Sequence, residues 1–222
     1  MSQITFNGPA GRLEGVYHHG ACAKLPVALV LHPHPLQGGT MHNRVTYTLY
    51  RAFAKQGLSV MRFNFRGVGS SEGSFDSGEG EVADAAAALD WLQSVNPKGN
   101  PLLVAGFSFG AWVAMQLLMR RPEVAGFISV SPPANLYDFN FLAPCPVSGM
   151  IVCGKKDDIV DEQSVDALVT KLNSQKGIQI DYRVLPQADH FYTNHLDTIY
   201  QYAVDYVTAA QQGQSLAYAA NW

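Results

Sequence analysis

Apolar residues in this chain follow two alternating rhythms. Short, largely apolar runs occupy residues 27–32, 58–65, 102–105, 124–130 and 147–153. Runs this brief and continuous suit strands buried on both faces of a parallel sheet. Between and beyond them, residues 45–54, 82–95, 111–119 and 165–172 carry apolar positions at helical spacing. Pro97, Pro122 and Gly177 fall at or just past the ends of these helices. A final strand over 178–185 and a last helix over 196–207 close the series, and residues 3–7 and 12–18 flank Gly8-Pro9-Ala10-Gly11 as a hairpin ahead of it. The order predicts an α/β fold: a mostly parallel twisted sheet with an N-terminal antiparallel hairpin. Right-handed crossovers place helices on both faces.

No repeat or Pro/Gly/Ser-rich linker divides the 222 residues. We therefore expect one domain over 1–212, with residues 213–222 a C-terminal tail whose composition assigns it no role. An apolar content of 47% excludes intrinsic disorder. Fifteen Lys and Arg against eighteen Asp and Glu give a net charge of −3, and the cations do not cluster, so no nucleic-acid partner is expected. Aliphatic runs such as 27–31 fall far short of the ~20 residues that cross a bilayer, so no membrane partner is expected either. The opening Met1-Ser2-Gln3-Ile4-Thr5-Phe6 has no basic n-region and no apolar h-region, which predicts a cytoplasmic location. Cys22, Cys145 and Cys153 form no CxxC pair and read as unpaired thiols.

The sharpest chemical signal is Gly106-Phe107-Ser108-Phe109-Gly110. As letters alone G-x-S-x-G is weak, but here it follows an apolar run and opens an apolar helix, the strand-turn-helix setting of a nucleophile elbow. A tight turn of this kind tolerates only small residues two positions either side of the serine, and the helix behind it aims unpaired N–H groups at the reaction centre. A serine hydroxyl needs a base, and the base an orienting acid. Asp157 and Asp158 lie in the loop after the 147–153 strand, and His190 follows the last strand, so Ser, Asp and His occupy C-terminal strand ends in that chain order. His195 also follows that strand, but at the edge of the last helix.

These residues resemble the α/β-hydrolases, and most closely their small, lidless bacterial serine hydrolases, dienelactone-hydrolase and carboxylesterase-like. The likeness rests on His32-Pro33-His34-Pro35, Gly38-Gly39-Thr40-Met41-His42-Asn43, Arg62-Phe63-Asn64-Phe65-Arg66-Gly67-Val68-Gly69 and Gly106-Phe107-Ser108-Phe109-Gly110-Ala111. The resemblance implies Ser108 as nucleophile, His190 as base and Asp157, three residues past the strand-ending Gly154, as orienting acid, with Asp158 in reserve. An oxyanion hole takes one donor from the N–H of Phe109. For the second the resemblance points to His34; Pro33 and Pro35 have no N–H, which leaves Leu36 and Gln37 as alternatives. The commoner family form here is His-Gly-x, from which this loop departs.

His32, His34 and His42 could suggest a metal. No carboxylate or thiolate is interleaved, and the resemblance explains the segment as a loop-shaping element, so no metal is expected. Gly67-Val68-Gly69 departs from a dinucleotide fingerprint at Glu72 and reads as a turn supporting the site loops, so no cofactor is expected. Leu36, Phe139, Phe141 and Phe191, with the neighbouring Tyr137 and Tyr192, are candidate walls of an acyl pocket. Only about sixteen residues separate the strand ending near Val130 from the next, too few for a helical cap. An open site suits small substrates. The expected function is hydrolysis of small carboxylic esters or thioesters through an acyl-enzyme. The alternatives are a lactone, dienelactone or C–C bond hydrolase on the same triad, and a non-catalytic binding protein of this fold. The oligomeric state is open.

Overall fold

A computed structural model describes residues 2–21 and 25–211. The tail at 213–222 and Cys22 lie outside the described residues. Eight strands form one sheet in the order β1-β2-β4-β3-β5-β6-β7-β8. The hairpin β1 (Ser2–Gly8) and β2 (Gly11–His18) is antiparallel and joins β4 (Ser59–Phe63) antiparallel. Strands β3 (Val27–Leu31), β4, β5 (Leu102–Phe107), β6 (Val124–Val130), β7 (Gly149–Gly154) and β8 (Ile180–Leu185) run parallel. Their register pairs Leu31 with Gly106, Phe107 with Val130 and Gly154 with Leu185, so the carboxyl ends of five strands meet along one edge.

The period of two along each strand divides the core. Leu29, Leu31, Met61, Phe63, Val104 and Ile151 pack under α2 (Glu79–Val95), α3 (Phe109–Leu118) and α4 (Glu162–Asn173). Ala28, Val30, Val60, Ala105, Ile128 and Val152 pack under α1 (Arg44–Lys55) and α5 (Leu196–Gln211). Both faces of the central strands are sealed, which is why these strands read as largely apolar runs without a polar alternation.

Several elements extend past the apolar rhythm because polar caps set their ends. Asn43 accepts from the N–H groups of Val45 (2.9 Å) and Thr46 (3.4 Å) and starts α1. The buried Glu81 carboxylate reaches back to the N–H of Gly78 (2.7 Å) and Asp76 (3.0 Å), so α2 begins ahead of its first apolar position. Asp161 caps α4 through Ser164 N–H at 3.0 Å. Between β6 and β7, residues 131–148 form turns and contain no helix, so nothing is inserted over the sheet edge there.

The segment after β4 knits that edge together. Asn64 Oδ1 accepts from Met41 N–H at 2.7 Å while its amide donates to Glu14 at 2.7 Å. Arg66 forks onto the fully buried Asp84 of α2, with Nε and Nη2 contacts at 3.0 and 2.8 Å. Gly67-Val68-Gly69 turns just beyond, with the Val68 N–H on the Phe65 carbonyl (3.1 Å) and the Gly67 N–H on the Glu72 carbonyl (3.2 Å).

Candidate active site

Ser108 joins β5 to α3 with φ +55° and ψ −121°. For a non-glycine residue this backbone costs on the order of 1–3 kcal/mol and persists only when its surroundings impose it. They do. The Ser108 N–H is held by the Val130 carbonyl at 2.9 Å, and the Ser108 carbonyl accepts from Ala111 and Trp112 as the first turn of α3. A Cβ at Gly106 would strike the carbonyl of Gly110, and one at Gly110 would sit 2.5 Å from the His32 carbonyl oxygen. Both glycines are therefore required by close backbone approach. Phe109 begins the helix, so its N–H has no carbonyl four residues back to bond.

His190 and Asp157 meet at the ends of β8 and β7. Nδ1 of His190 lies 2.8 Å from Asp157 Oδ2 and 3.0 Å from Oδ1. The carboxylate, fully buried, also accepts from the N–H groups of Ile159 (3.0 Å) and Val160 (2.8 Å) and from Ser131 Oγ (2.9 Å). Burial alone would push this carboxyl up. The bonds from His190 and from the Val160 and Ile159 backbone outweigh it and hold the carboxyl below the ordinary value. With a proton on Nδ1 shared with the carboxylate, the imidazole presents Nε2 as a lone-pair acceptor. Asp158 is exposed, and His195 enters no bond with Asp157.

Two hydroxyls stand behind the carboxylate. Ser131, the residue just past β6, donates to Asp157 and stands 2.8 Å from the Tyr192 hydroxyl. Since Ser131 has one proton and gives it to the carboxylate, Tyr192 donates to Ser131. Both are fully buried, and both have positive φ, 45° and 53°. Tyr192 is consequently not a pocket wall. The signal that could have found Ser131 is its place at a carboxyl strand end, the same rule that singled out Ser108, Asp157 and His190.

Ser108 and His190 line one cavity of about 430 Å³, together with His34, Phe109, Asn43, Leu136, Tyr137, Ile159 and Phe191. Of the residues named as candidate walls, Phe191 and Tyr137 line this cavity, and Leu36, Phe139 and Phe141 do not. Leu36 points to solvent at 67% exposure, because its N–H is turned inward to His34 Nδ1. Phe139 stacks on Phe141 (centroids 5.9 Å apart) and enters the core, leaving Leu136 and Tyr137 from the same segment to face the cavity. In the loop after β3 the N–H of Leu36 is spent on His34 Nδ1 (3.1 Å) and that of Gln37 on the His34 carbonyl (3.0 Å).

The histidine pair of that loop separates. His32 is fully buried, with Nδ1 2.6 Å from the Pro33 carbonyl and Nε2 accepting from Phe65 N–H at 3.1 Å. Burial drives its pKa down to about 3, so the ring is neutral and acts as a strut between β3 and β4. His34 sits between Phe75 and Phe109, with ring centroids 4.9 and 5.0 Å away, and burial lowers its pKa as well. Among the described residues no helix is long and apolar enough to cross a membrane.

Residues 28–144 match the serine aminopeptidase S33 family (Hydrolase_4). An uncharacterized protein of Rickettsia prowazekii is 51% identical over 215 residues, covering 95% of this chain and 90% of that one. The crystal structure of a protein of unknown function from Agrobacterium tumefaciens, 51% identical, superposes with a TM-score of 0.92 over 96% of this chain and 97% of its own. A serine hydrolase without a lid from Xanthomonas campestris, 34% identical, gives a TM-score of 0.79 over 96% and 92%.

Proposed function

Since this chain belongs to the serine aminopeptidase S33 family of α/β serine hydrolases, we propose that it cleaves small carboxylic esters or thioesters through an acyl-enzyme on Ser108. In this reading His190 Nε2 takes the Ser108 proton as Oγ adds to the acyl carbon, and Asp157 steadies the imidazolium that forms. The oxyanion is met by the N–H of Phe109 and by that of His34, the donor left once Leu36 and Gln37 have bonded to His34. Collapse expels the alcohol or thiol, which takes the proton from His190. Water then adds to the acyl carbon, gives a proton to the same nitrogen, and the acid leaves as the proton returns to Ser108. The observation that carries this reading is a serine in a strained turn sharing one cavity with a histidine whose far nitrogen is pinned to a buried carboxylate.

Ester chemistry is favoured over the aminopeptidase activity in the family's description because no Asp or Glu lines the cavity, so a protonated amine would find no counter-charge there. The unit responsible is proposed to be a single domain, residues 1–212. A fluorophosphonate probe should label the protein on Ser108, as mapped by mass spectrometry, and p-nitrophenyl acyl esters should turn over. Ser108→Ala should fold, lose the label and lose activity by several powers of ten, with roughly 10³–10⁴ over water remaining. Folded wild-type protein that takes no label would refute the proposal.

A further inference from the structure

A second cavity, about 400 Å³, lies beside the first and contains none of the proposed catalytic groups. His42, Arg44, Tyr47, Arg51, Thr193 and Asp197 line it. The two cavities flank the same pair of chain segments. Asn43 faces the catalytic side while His42 and Arg44 face the other, and Phe191 faces the catalytic side while Thr193 faces the other. One or two residues of chain thus separate their walls, roughly 3–7 Å at extended-chain spacing.

The charge of this second cavity is predominantly positive. Helices α1 and α5 lie side by side and run the same way: Arg44 and Leu196, their first residues, both line the cavity, while Gln211 at the end of α5 reaches the Gln56 carbonyl past the end of α1. Two positive dipole ends therefore converge at Arg44, which stands exposed, and Arg51 stands exposed two turns further along α1. Arg51 lies over the Tyr200 ring at 4.9 Å, and neither arginine forms an ion pair among the described residues. Asp197 is the single carboxylate of the wall, set against two guanidinium groups.

An independent observation comes from behind the wall. Arg62 of β4 is only 5% exposed, yet no carboxylate pairs with it among the described residues, and its Nε has no partner. Its guanidinium donates to the Met41 carbonyl, approaches His42 Nδ1 at 3.3 Å, and lies 5.2 and 5.0 Å from the rings of Tyr47 and Tyr50. His42 and Tyr47 are cavity walls, so a buried cation without a counter-ion backs the same space. A buried charge left unpaired is costly, and an anion seated in front of it would offset that cost.

We propose that this cavity is an anion subsite, in which Arg44 and Arg51 hold a carboxylate or phosphate carried at the far end of the ester substrate. Attachment to an ester rests on the function proposed above; anion binding does not. The substrate class is then a short ester whose acyl or alcohol part ends in an oxyanion, crossing the rim at Asn43 and Phe191 from one cavity to the other.

Two measurements on the full chain test this. The first compares kcat/KM for p-nitrophenyl esters of ω-carboxylated acyl chains with uncharged esters of equal length. The charged series should be preferred by roughly tenfold or more, the preference should peak at one chain length, and Arg44→Gln/Arg51→Gln should bring the ratio close to one, while Lys155→Gln leaves it unchanged. The second is calorimetric titration with inorganic phosphate, which needs no catalysis; binding should weaken roughly tenfold or more in the double variant. Phosphate binding without any preference among hydrolysed esters would mean a site for free anions and overturn the substrate assignment. Neither binding nor preference would overturn the subsite. Phosphate binding by a protein that hydrolyses no ester would sustain the anion site and defeat the ester reading alone.

Discussion

Asp157 and Asp158 are adjacent and chemically identical, and their surroundings make them opposites. Asp157 accepts from four groups and its side chain has no exposed surface, whereas Asp158 faces solvent. Asp157→Asn should lower kcat by roughly 10³–10⁴, because the amide carries no charge to steady the imidazolium and its NH2 turns one acceptor into a donor that favours the wrong tautomer of His190; Asp158→Asn should leave kcat within about twofold. Steady-state kinetics on both variants decides it, and equal mild effects would move the orienting role elsewhere. Ser131→Ala should lower kcat roughly tenfold with KM little changed, since it removes one charge-assisted bond to the carboxylate without touching the cavity. In the sequence the two acids were separable only through family resemblance. The hydroxyls of Ser131 and Tyr192 were not legible as a chain at all, because their meeting depends on two positive-φ backbones that no periodicity encodes.

At the scale of elements, apolar rhythm and punctuation were sufficient to place the strands and α-helices of the described residues to within a few residues of their ends, though not the short 3-10 turn at Pro35–Gln37, since a sheet sealed on both faces and amphipathic or buried helices leave different spacings. What they could not supply was facing in segments without a period. Across residues 131–148 the chain turns repeatedly, so neighbouring aromatics diverge: Tyr137 lines the cavity while Phe139 enters the core. The joint between the β4 loop and α2 rests on Arg66 and Asp84, buried together. Arg66→Met should destabilise the fold by about 3–5 kcal/mol by stranding the Asp84 charge, and adding Asp84→Leu should recover most of the loss. Urea denaturation of the single and double variants provides the comparison, and equal destabilisation by both would show that the pair contributes as packing rather than as charge.

For the whole molecule, the buried His32 strut makes stability depend on pH in a defined direction. Folded, the ring is held neutral, with a pKa of about 3 against 6.5 for the free side chain. Above pH 6.5 neither state binds the proton and the contribution is complete. Below it the unfolded chain takes up a proton that the folded one refuses, so stability falls as pH drops from about 6.5 towards 3. Between pH 7 and 4.5 this group should remove about 2–3 kcal/mol, and His32→Asn, which retains a hydrogen-bonding side chain without the titration, should flatten that part of the profile in denaturant titrations. The sheet order has a further consequence for how the molecule fails. Ser108 hangs from β5, flanked on both sides, while His190 and Tyr192 follow β8, which pairs with β7 alone. A fluctuation that frays this outer strand would carry off His190 and Tyr192 together and leave Ser108 standing, removing the proposed base while the proposed nucleophile stays in place. Hydrogen exchange should therefore be faster in β8 than in β5, and mild denaturant should silence turnover while the centre of the sheet is still protected. The durability of the activity would be set by the margin of the sheet, and strengthening that margin would extend the enzyme's working life without altering any reacting group.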